Sequence, residues 1–221
     1  MNTIRIGGAC AFFGDSSVAP TQLIAAGVDY LILDYLAEAT MSSLGAMRRH
    51  RANLGYATDF TEWVWKDNLS ELKRTGTKIV TNAGGVNPRA CLERMEKIAA
   101  EAGVSLRIAI VEGDEVLDRL DELSAQGELI TGAPFPAKDK VVTANAYLGA
   151  GPIARALALG ADVVITGRCV DSALTLGILV HEFGWKETDY DKLSQGSLAG
   201  HVIECGAQAT GGLFTDWREV P

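Results

Sequence analysis

Short, almost unbroken apolar runs alternate along this chain with longer segments in which apolar positions recur at helical spacing. An unbroken run of strand length suits a strand covered on both faces, whereas recurrence every three to four residues suits a helix with one buried face. Residues 3–9 read as a first strand, broken by Gly14-Asp15-Ser16-Ser17. Residues 20–26 read as a helix started by Pro20 and stopped at Gly27. Residues 29–34 form the next strand, 40–53 and 60–74 two helices, and 78–82 a strand. Asn87-Pro88 caps a helix that runs to Gly103. Residues 106–111 read as a strand, 115–124 as a helix, and 127–140, with Gly132, Pro134 and Pro136, as a crossover loop. Residues 141–146 and 162–166 are the remaining strands, each with a helix after it, and 193–208 form the last helix. This order predicts a single α/β domain over residues 1–221, with a mostly parallel sheet and helices on both faces.

Two stretches repeat one another. Pro20 through Gly27-Val28-Asp29-Tyr30-Leu31-Ile32 is echoed by Pro152 through Gly160-Ala161-Asp162-Val163-Val164-Ile165. The echo has two readings: a helix-to-strand turn that favours glycine followed by a polar residue, or duplication of a half-sheet.

Four strand ends run into small or polar residues before a helix: Gly14-Asp15, Asn82-Ala83-Gly84-Gly85, Asn145 through Gly151, and Gly167-Arg168. In open α/β sheets the carboxyl ends of parallel strands form one rim, and ligands bind there. A small-molecule site on that rim is therefore expected.

Composition narrows the partners. The 221 residues are 48% hydrophobic and 22% charged, enough for one large core, and the formal net charge of -8 leaves no basic footprint for nucleic acid or an anionic membrane. No apolar run reaches the roughly 18 residues of a membrane span. The first residues lack the pattern of a signal peptide, so a cytoplasmic location is expected. Cys10, Cys91, Cys169 and Cys205 are widely spaced and suit buried free thiols better than zinc or disulfides.

The most chemical segment runs from Asp162 to Leu174. Arg168 beside helix amides can receive a carboxylate or phosphate through its planar fork, or can simply pair with Asp171 to fix the loop. Ser172 can cap the next helix. Asn82 and Asn145 follow apolar strands, where an amide orients a substrate hydroxyl or carbonyl, or satisfies its own loop. Gly149-Ala150-Gly151 lets backbone approach an anion, although the spacing is neither a dinucleotide fingerprint nor a P-loop. Asp15, Asp34 and Glu38 bring carboxylates to the first two strand ends, where they can share acid and base roles or hold a divalent cation. Asp15 alternatively caps the following helix. His201, Glu204 and Gln208 share one face of the last helix, as an acid/base pair, half of a metal site, or a solvated face. The glycines around them, Gly200, Gly206, Gly211 and Gly212, are unusual beside an ordinary surface helix. His181 reads as a helix-end residue near the carboxyl dipole, and His50 as part of a solvated basic stretch.

A series of motifs in order carries a family resemblance. Gly14-Asp15, Asp29-Tyr30-Leu31, Thr81-Asn82-Ala83-Gly84 with Asn87-Pro88-Arg89-Ala90, and Ala144-Asn145-Ala146-Tyr147-Leu148-Gly149-Ala150 come first. Gly160 through Arg168, Leu179-Val180-His181-Glu182-Phe183-Gly184-Trp185, Leu198-Ala199-Gly200-His201 and Glu204 through Gly212 follow. Together they resemble the amino-terminal domain of the acyclic terpene utilisation family. The resemblance implies a catabolic protein tied to the breakdown of branched isoprenoid acids. Members of that family continue past the position equivalent to Pro221, which implies a working unit completed by further chain, by a partner chain or by self-association into a homo-oligomer.

The resulting expectation is an enzyme for a small carboxylate or branched acyl-CoA that performs a lyase or hydratase step by proton transfer. Arg168, with Asp171 and Gly149 beside it, would hold the anionic group. Asn82 and Asn145 would orient the substrate, and His201 with Glu204 or Asp15 would move protons. A CoA thioester enters as substrate; no cofactor is specified, and a divalent metal is left open. The contrasting expectation is a non-catalytic subunit that binds a metabolite on the rim and docks a partner chain.

Overall fold

The structure, a computed structural model, describes residues 3–210 and Arg218. Five strands form one parallel sheet: β1 (Ile6–Gly8), β2 (Tyr30–Leu33), β3 (Lys78–Thr81), β4 (Ile108–Val111) and β5 (Val163–Thr166). Their spatial order is β1-β2-β3-β5-β4, with every pairing parallel. The α/β class expected from the apolar runs is the observed one.

Successive side chains of a strand point to opposite faces, and the core divides accordingly. Leu31, Leu33, Ile79, Val163 and Ile165 pack on one face with α1 (Ala19–Ala25), α2 (Glu38–His50), α3 (Lys66–Thr75) and α4 (Pro88–Ala102). Tyr30, Ile32, Val80 and Val164 pack on the other with α6 (Gly151–Ala158) and α7 (Ala173–Phe183). The short α5 (Leu120–Leu123) lies between β4 and α6, and α8 (Tyr190–Ile203) follows α7.

Chirality explains the division. The chain steps from β1 through β2 and β3 to β4 in one direction and then back to β5. A right-handed crossover that reverses direction must place its helix on the opposite face. β3 and β5 are neighbours whose following helices, α4 and α7, lie on opposite faces, so the crevice between their carboxyl ends is the topological switch point where such sheets bind ligands.

The echoed segments occupy equivalent places at the two edges. Asp29 Oδ2 accepts the Arg5 amide at 2.7 Å, and Asp162 Oδ2 accepts the Arg107 amide at 2.8 Å. Each aspartate thus ties the start of an edge strand to its inner neighbour. The preceding turns need a left-handed residue, supplied by Gly27 (φ 77°) and Gly160 (φ 90°).

Several expected elements differ. Residues 141–146 form no strand; Val142 and Thr143 lie against Gly45 of α2, and Asn145 makes only an isolated bridge to Glu115. The helix expected over 115–124 is a 3₁₀ turn (Leu117–Arg119) followed by the single turn of α5. The helix expected over 60–74 opens with a π-helical stretch (Phe60–Trp65) before α3, while Trp65 Nε1 finds the Met95 carbonyl at 3.0 Å. The last helix starts at Tyr190 and ends at Ile203, and a separate 3₁₀ turn (Gly206–Thr210) carries Gln208 off the face that holds His201. Gly211 and Gly212 lie outside the described residues.

Candidate functional site

At the end of β2, Asp34 is 3% exposed and Asn82, after β3, is fully buried. Asn82 Nδ2 donates to Asp34 Oδ1 at 2.6 Å while its own Oδ1 accepts the Tyr35 amide at 2.7 Å. The Leu36 amide also donates to Asp34 Oδ1, at 3.2 Å. Both ends of the Asn82 amide are therefore used inside the frame, holding one carboxyl oxygen in place. Among the described residues, Asp34 Oδ2 has no hydrogen-bond partner. Burial raises the carboxyl from the ordinary aspartate range to about 7, against the hydrogen bonds from Asn82 and Leu36, and the charges of Glu204 and Asp171 add to the rise.

At the end of β5, Arg168 is 5% exposed and links the strand ends. Its Nη1 donates to the Leu36 carbonyl at 2.7 Å, to the Cys169 carbonyl at 3.3 Å and to Asp171 Oδ1 at 3.3 Å. Nη2 reaches Glu38 Oε1 at 3.5 Å, and the guanidinium lies 4.1 Å over the Tyr147 ring. Tyr147 donates its hydroxyl hydrogen to Glu38, a bond that lowers the Glu38 pKa. The Arg168 amide and Asn145 Nδ2 both donate to Asp114 Oδ2, each at 2.8 Å. Asn145 thereby ties the loop before α6 to the start of the β5 rim. Gly149 is exposed, with open space around it.

The third contribution comes from α8. A Cβ on Gly200 would stand 2.8 Å from the Ser172 carbonyl oxygen, and one on Gly8 would stand 2.3 Å from that of Ile203. These two glycines let the end of α8 sit directly on the start of α7 and the end of β1; close packing accounts for their presence. Docked there, His201 Nε2 lies 4.0 Å from Asp171 Oδ2. One donor atom from each of Asp171, His201 and Glu204 falls within 4.8 Å of the other two. His201 and Arg168 thus face the same carboxylate. Cys205 Sγ donates to Glu204 Oε1 at 3.1 Å.

Asp15 accepts the Ala11 amide at 2.9 Å, and its charge acts on Asp59 and Cys10. The residue that holds the start of α1 is Ser16, whose Oγ accepts the Val18 and Ala19 amides at 3.3 and 3.1 Å. Ser172 makes no capping hydrogen bond to α7. Cys10, Cys91 and Cys169 are buried free thiols, and Cys205 is partly exposed. A cleft of about 300 Å³ lined by Arg48, Val86, Arg89, Glu112 and Glu115 opens beside the rim. Its charges are already paired, Arg48 with Glu115 at 2.9 Å and Arg89 with Glu112 at 2.6 Å.

A family model for the acyclic terpene utilisation family protein AtuA matches residues 4–221. The chain belongs to that family. Searches of the curated proteins and of the solved structures give no match. The name of the AtuA family points to acyclic terpene utilisation as the setting of this rim. Among the described residues, no helix is long and apolar enough to cross a membrane.

Two residues of this AtuA-family rim escape a reading of the sequence. Asp114, 4% exposed, anchors both Arg168 and Asn145, yet it sits in an unremarkable Gly-Asp-Glu loop. Tyr147, beside Asn145, is the face on which the Arg168 guanidinium rests. The available signal for Tyr147 was an aromatic residue in an otherwise small-residue loop.

Proposed function

We propose that the chain is an enzyme of acyclic terpene catabolism that moves a proton on a small carboxylate or branched, isoprenoid-type acyl-CoA in a lyase or hydratase step. The observation that supports this reading is a buried carboxyl with one oxygen unpartnered among the described residues, Asp34, on which the charges of Asp171 and Glu204 act, at the carboxyl rim of the sheet where His201 joins them. A carboxyl poised near neutrality can take and return a proton at working pH. Asp34 carboxylate takes the proton from the carbon next to the substrate carbonyl, a group leaves the neighbouring carbon, and a double bond forms; hydration is the reverse.

In this reading Asn82 positions Asp34, and Arg168 positions Asp171. A substrate anion reaches Arg168 where Glu38 now stands, on the longest of its side-chain hydrogen bonds, 3.5 Å. His201 and Glu204 form the exposed side of the site, against the reacting carbonyl and the leaving group. Asn145 and Gly149 shape the loop that carries Tyr147, and Asp15 keeps to its own loop. In this reading the protein works in the cytoplasm and associates with a second copy or a partner chain.

The test is solvent-deuterium incorporation. Branched acyl-CoA thioesters and the free acids are incubated with the protein in D₂O and followed by NMR. Wild type should label the carbon next to the carbonyl, and Asp34→Asn should lower the rate by at least about 100-fold, the loss expected on removing a general base. Ligands that bind with no label and no change in unsaturation would instead support a non-catalytic, metabolite-binding subunit. Leu198 and Val202, exposed one turn apart on α8, give that second reading a surface for a partner chain.

A further inference from the structure

Asp171, His201 and Glu204 have the make-up of a ligand set. Each offers one donor atom, and the three atoms lie within 4.8 Å of one another. Two ligands about 2.1 Å from one cation stand about 3–4 Å apart, so side-chain adjustments of about an ångström close the set. The ligands come from two elements, the loop after β5 and the end of α8, and they meet because Gly8 and Gly200 let α8 dock.

Acidic groups gather on many surfaces without a cation. Here a second observation separates the cluster from that background. Asp34 is 3% exposed, and its Oδ2 has no hydrogen-bond partner among the described residues. Oδ1 is held from the β3 side by Asn82. Glu204 stands on the opposite, β1 side, because its neighbours Ile203 and Gly206 pack on Gly8. The charges acting on Asp34 are those of Glu204 and Asp171. With Oδ1 occupied, the orphan oxygen is the one free to serve the cluster whose charges reach Asp34, and it is in want of a hydrogen-bond donor.

A water or substrate group carried by a cation supplies that donor, and the cation's charge offsets the carboxylates gathered around it. We propose that Asp171, His201 and Glu204 bind a divalent transition-metal cation, with Asp34 Oδ2 accepting from the group on its open coordination position. Three protein ligands and one open position is the arrangement of a catalytic rather than a structural metal. Arg168 holds Asp171 Oδ1 at 3.3 Å and leaves Oδ2 for the cation, the outer-shell role that orients a ligating carboxylate. One imidazole nitrogen with two carboxylate oxygens suits Mn²⁺ or Zn²⁺ better than the all-oxygen set of Ca²⁺. The site stands on this geometry alone and is independent of the reaction proposed above.

The probe is Mn²⁺, added to the full chain after treatment with a chelator and followed by the loss of the free-ion EPR signal. Wild type should remove one equivalent. His201→Ala and Glu204→Gln should each weaken binding on the order of 100-fold, with circular dichroism unchanged, and Asp34→Asn should keep the stoichiometry. Asp171→Asn serves in place of either variant that fails to fold. No loss of signal at millimolar Mn²⁺, or wild-type affinity in the ligand variants, would overturn the assignment. Because the readout needs no substrate, its failure leaves the deuterium experiment intact, and the converse also holds.

Discussion

Asn82 holds two otherwise unrelated groups, the Tyr35 amide and the Asp34 carboxyl, at 2.7 and 2.6 Å. Asn82→Ala leaves the Tyr35 amide without a partner in a dry interior and leaves Asp34 Oδ1 only the longer bond from the Leu36 amide; at about 1–3 kcal/mol for each buried bond lost, the variant should lose roughly 2–4 kcal/mol in urea unfolding. A loss under about 0.5 kcal/mol, the range of an ordinary surface substitution, would show that the frame around Asp34 is not held this way. Asp59 offers a test by pH. Burial raises it to about 6, against hydrogen bonds from the Gly14 and Phe60 amides. A carboxyl whose folded pKa lies above its unfolded value contributes stability at low pH that is lost as pH rises through the folded value. Relative to wild type, Asp59→Asn should therefore gain stability between pH 4 and pH 7.5, by on the order of 2–3 kcal/mol. A gap independent of pH would contradict the burial argument. The sequence shows Asp34, Asn82 and Asp59 as polar residues at element ends and no more; what makes the first two a unit is a hydrogen bond across 48 residues, which no local pattern carries.

At the scale of elements, α8 is the piece that completes the site, and its docking depends on backbone contacts that a methyl group would block. Gly8→Ala places a Cβ 2.3 Å from the Ile203 carbonyl oxygen, a rigid atom with no rotamer to escape into. Such overpacking costs about 1–3 kcal/mol. The expected result is displacement of α8, read as loss of Mn²⁺ affinity while hydrogen-exchange protection of β2, β3 and β5 persists. Unchanged Mn²⁺ affinity in Gly8→Ala would contradict that dependence. The apolar spacing is enough to find this helix but not to end it at Ile203, because Cys205 and Ala207 continue a tolerable helical pattern. Residues 141–146 depart from the expected strand for a related reason. Val141, Val142 and Thr143 look like a strand by composition, yet Val142 and Thr143 lie against Gly45 of α2, a partner almost 100 residues away.

For the whole molecule, the sheet was the most legible feature, because unbroken apolar runs such as Tyr30–Leu33 and Val163–Thr166 leave little but a doubly covered strand. The strand order was not legible, since it depends on β5 inserting between β3 and β4. That insertion creates the switch point and brings Arg168 from β5 to the Leu36 carbonyl after β2. Asn82 and Arg168 could thus be named from strand ends, whereas their roles as supports for Asp34 and Asp171 required the fold. The central structural claim is one ligand site, assembled at the rim from β2, β3, β5 and α8. The most direct test is anomalous diffraction from crystals of the full chain grown with Mn²⁺. A single strong peak enclosed by Asp171, His201 and Glu204, on the side of Asp34 Oδ2, is the predicted result; a peak elsewhere, or none at full Mn²⁺ occupancy in solution, would contradict it.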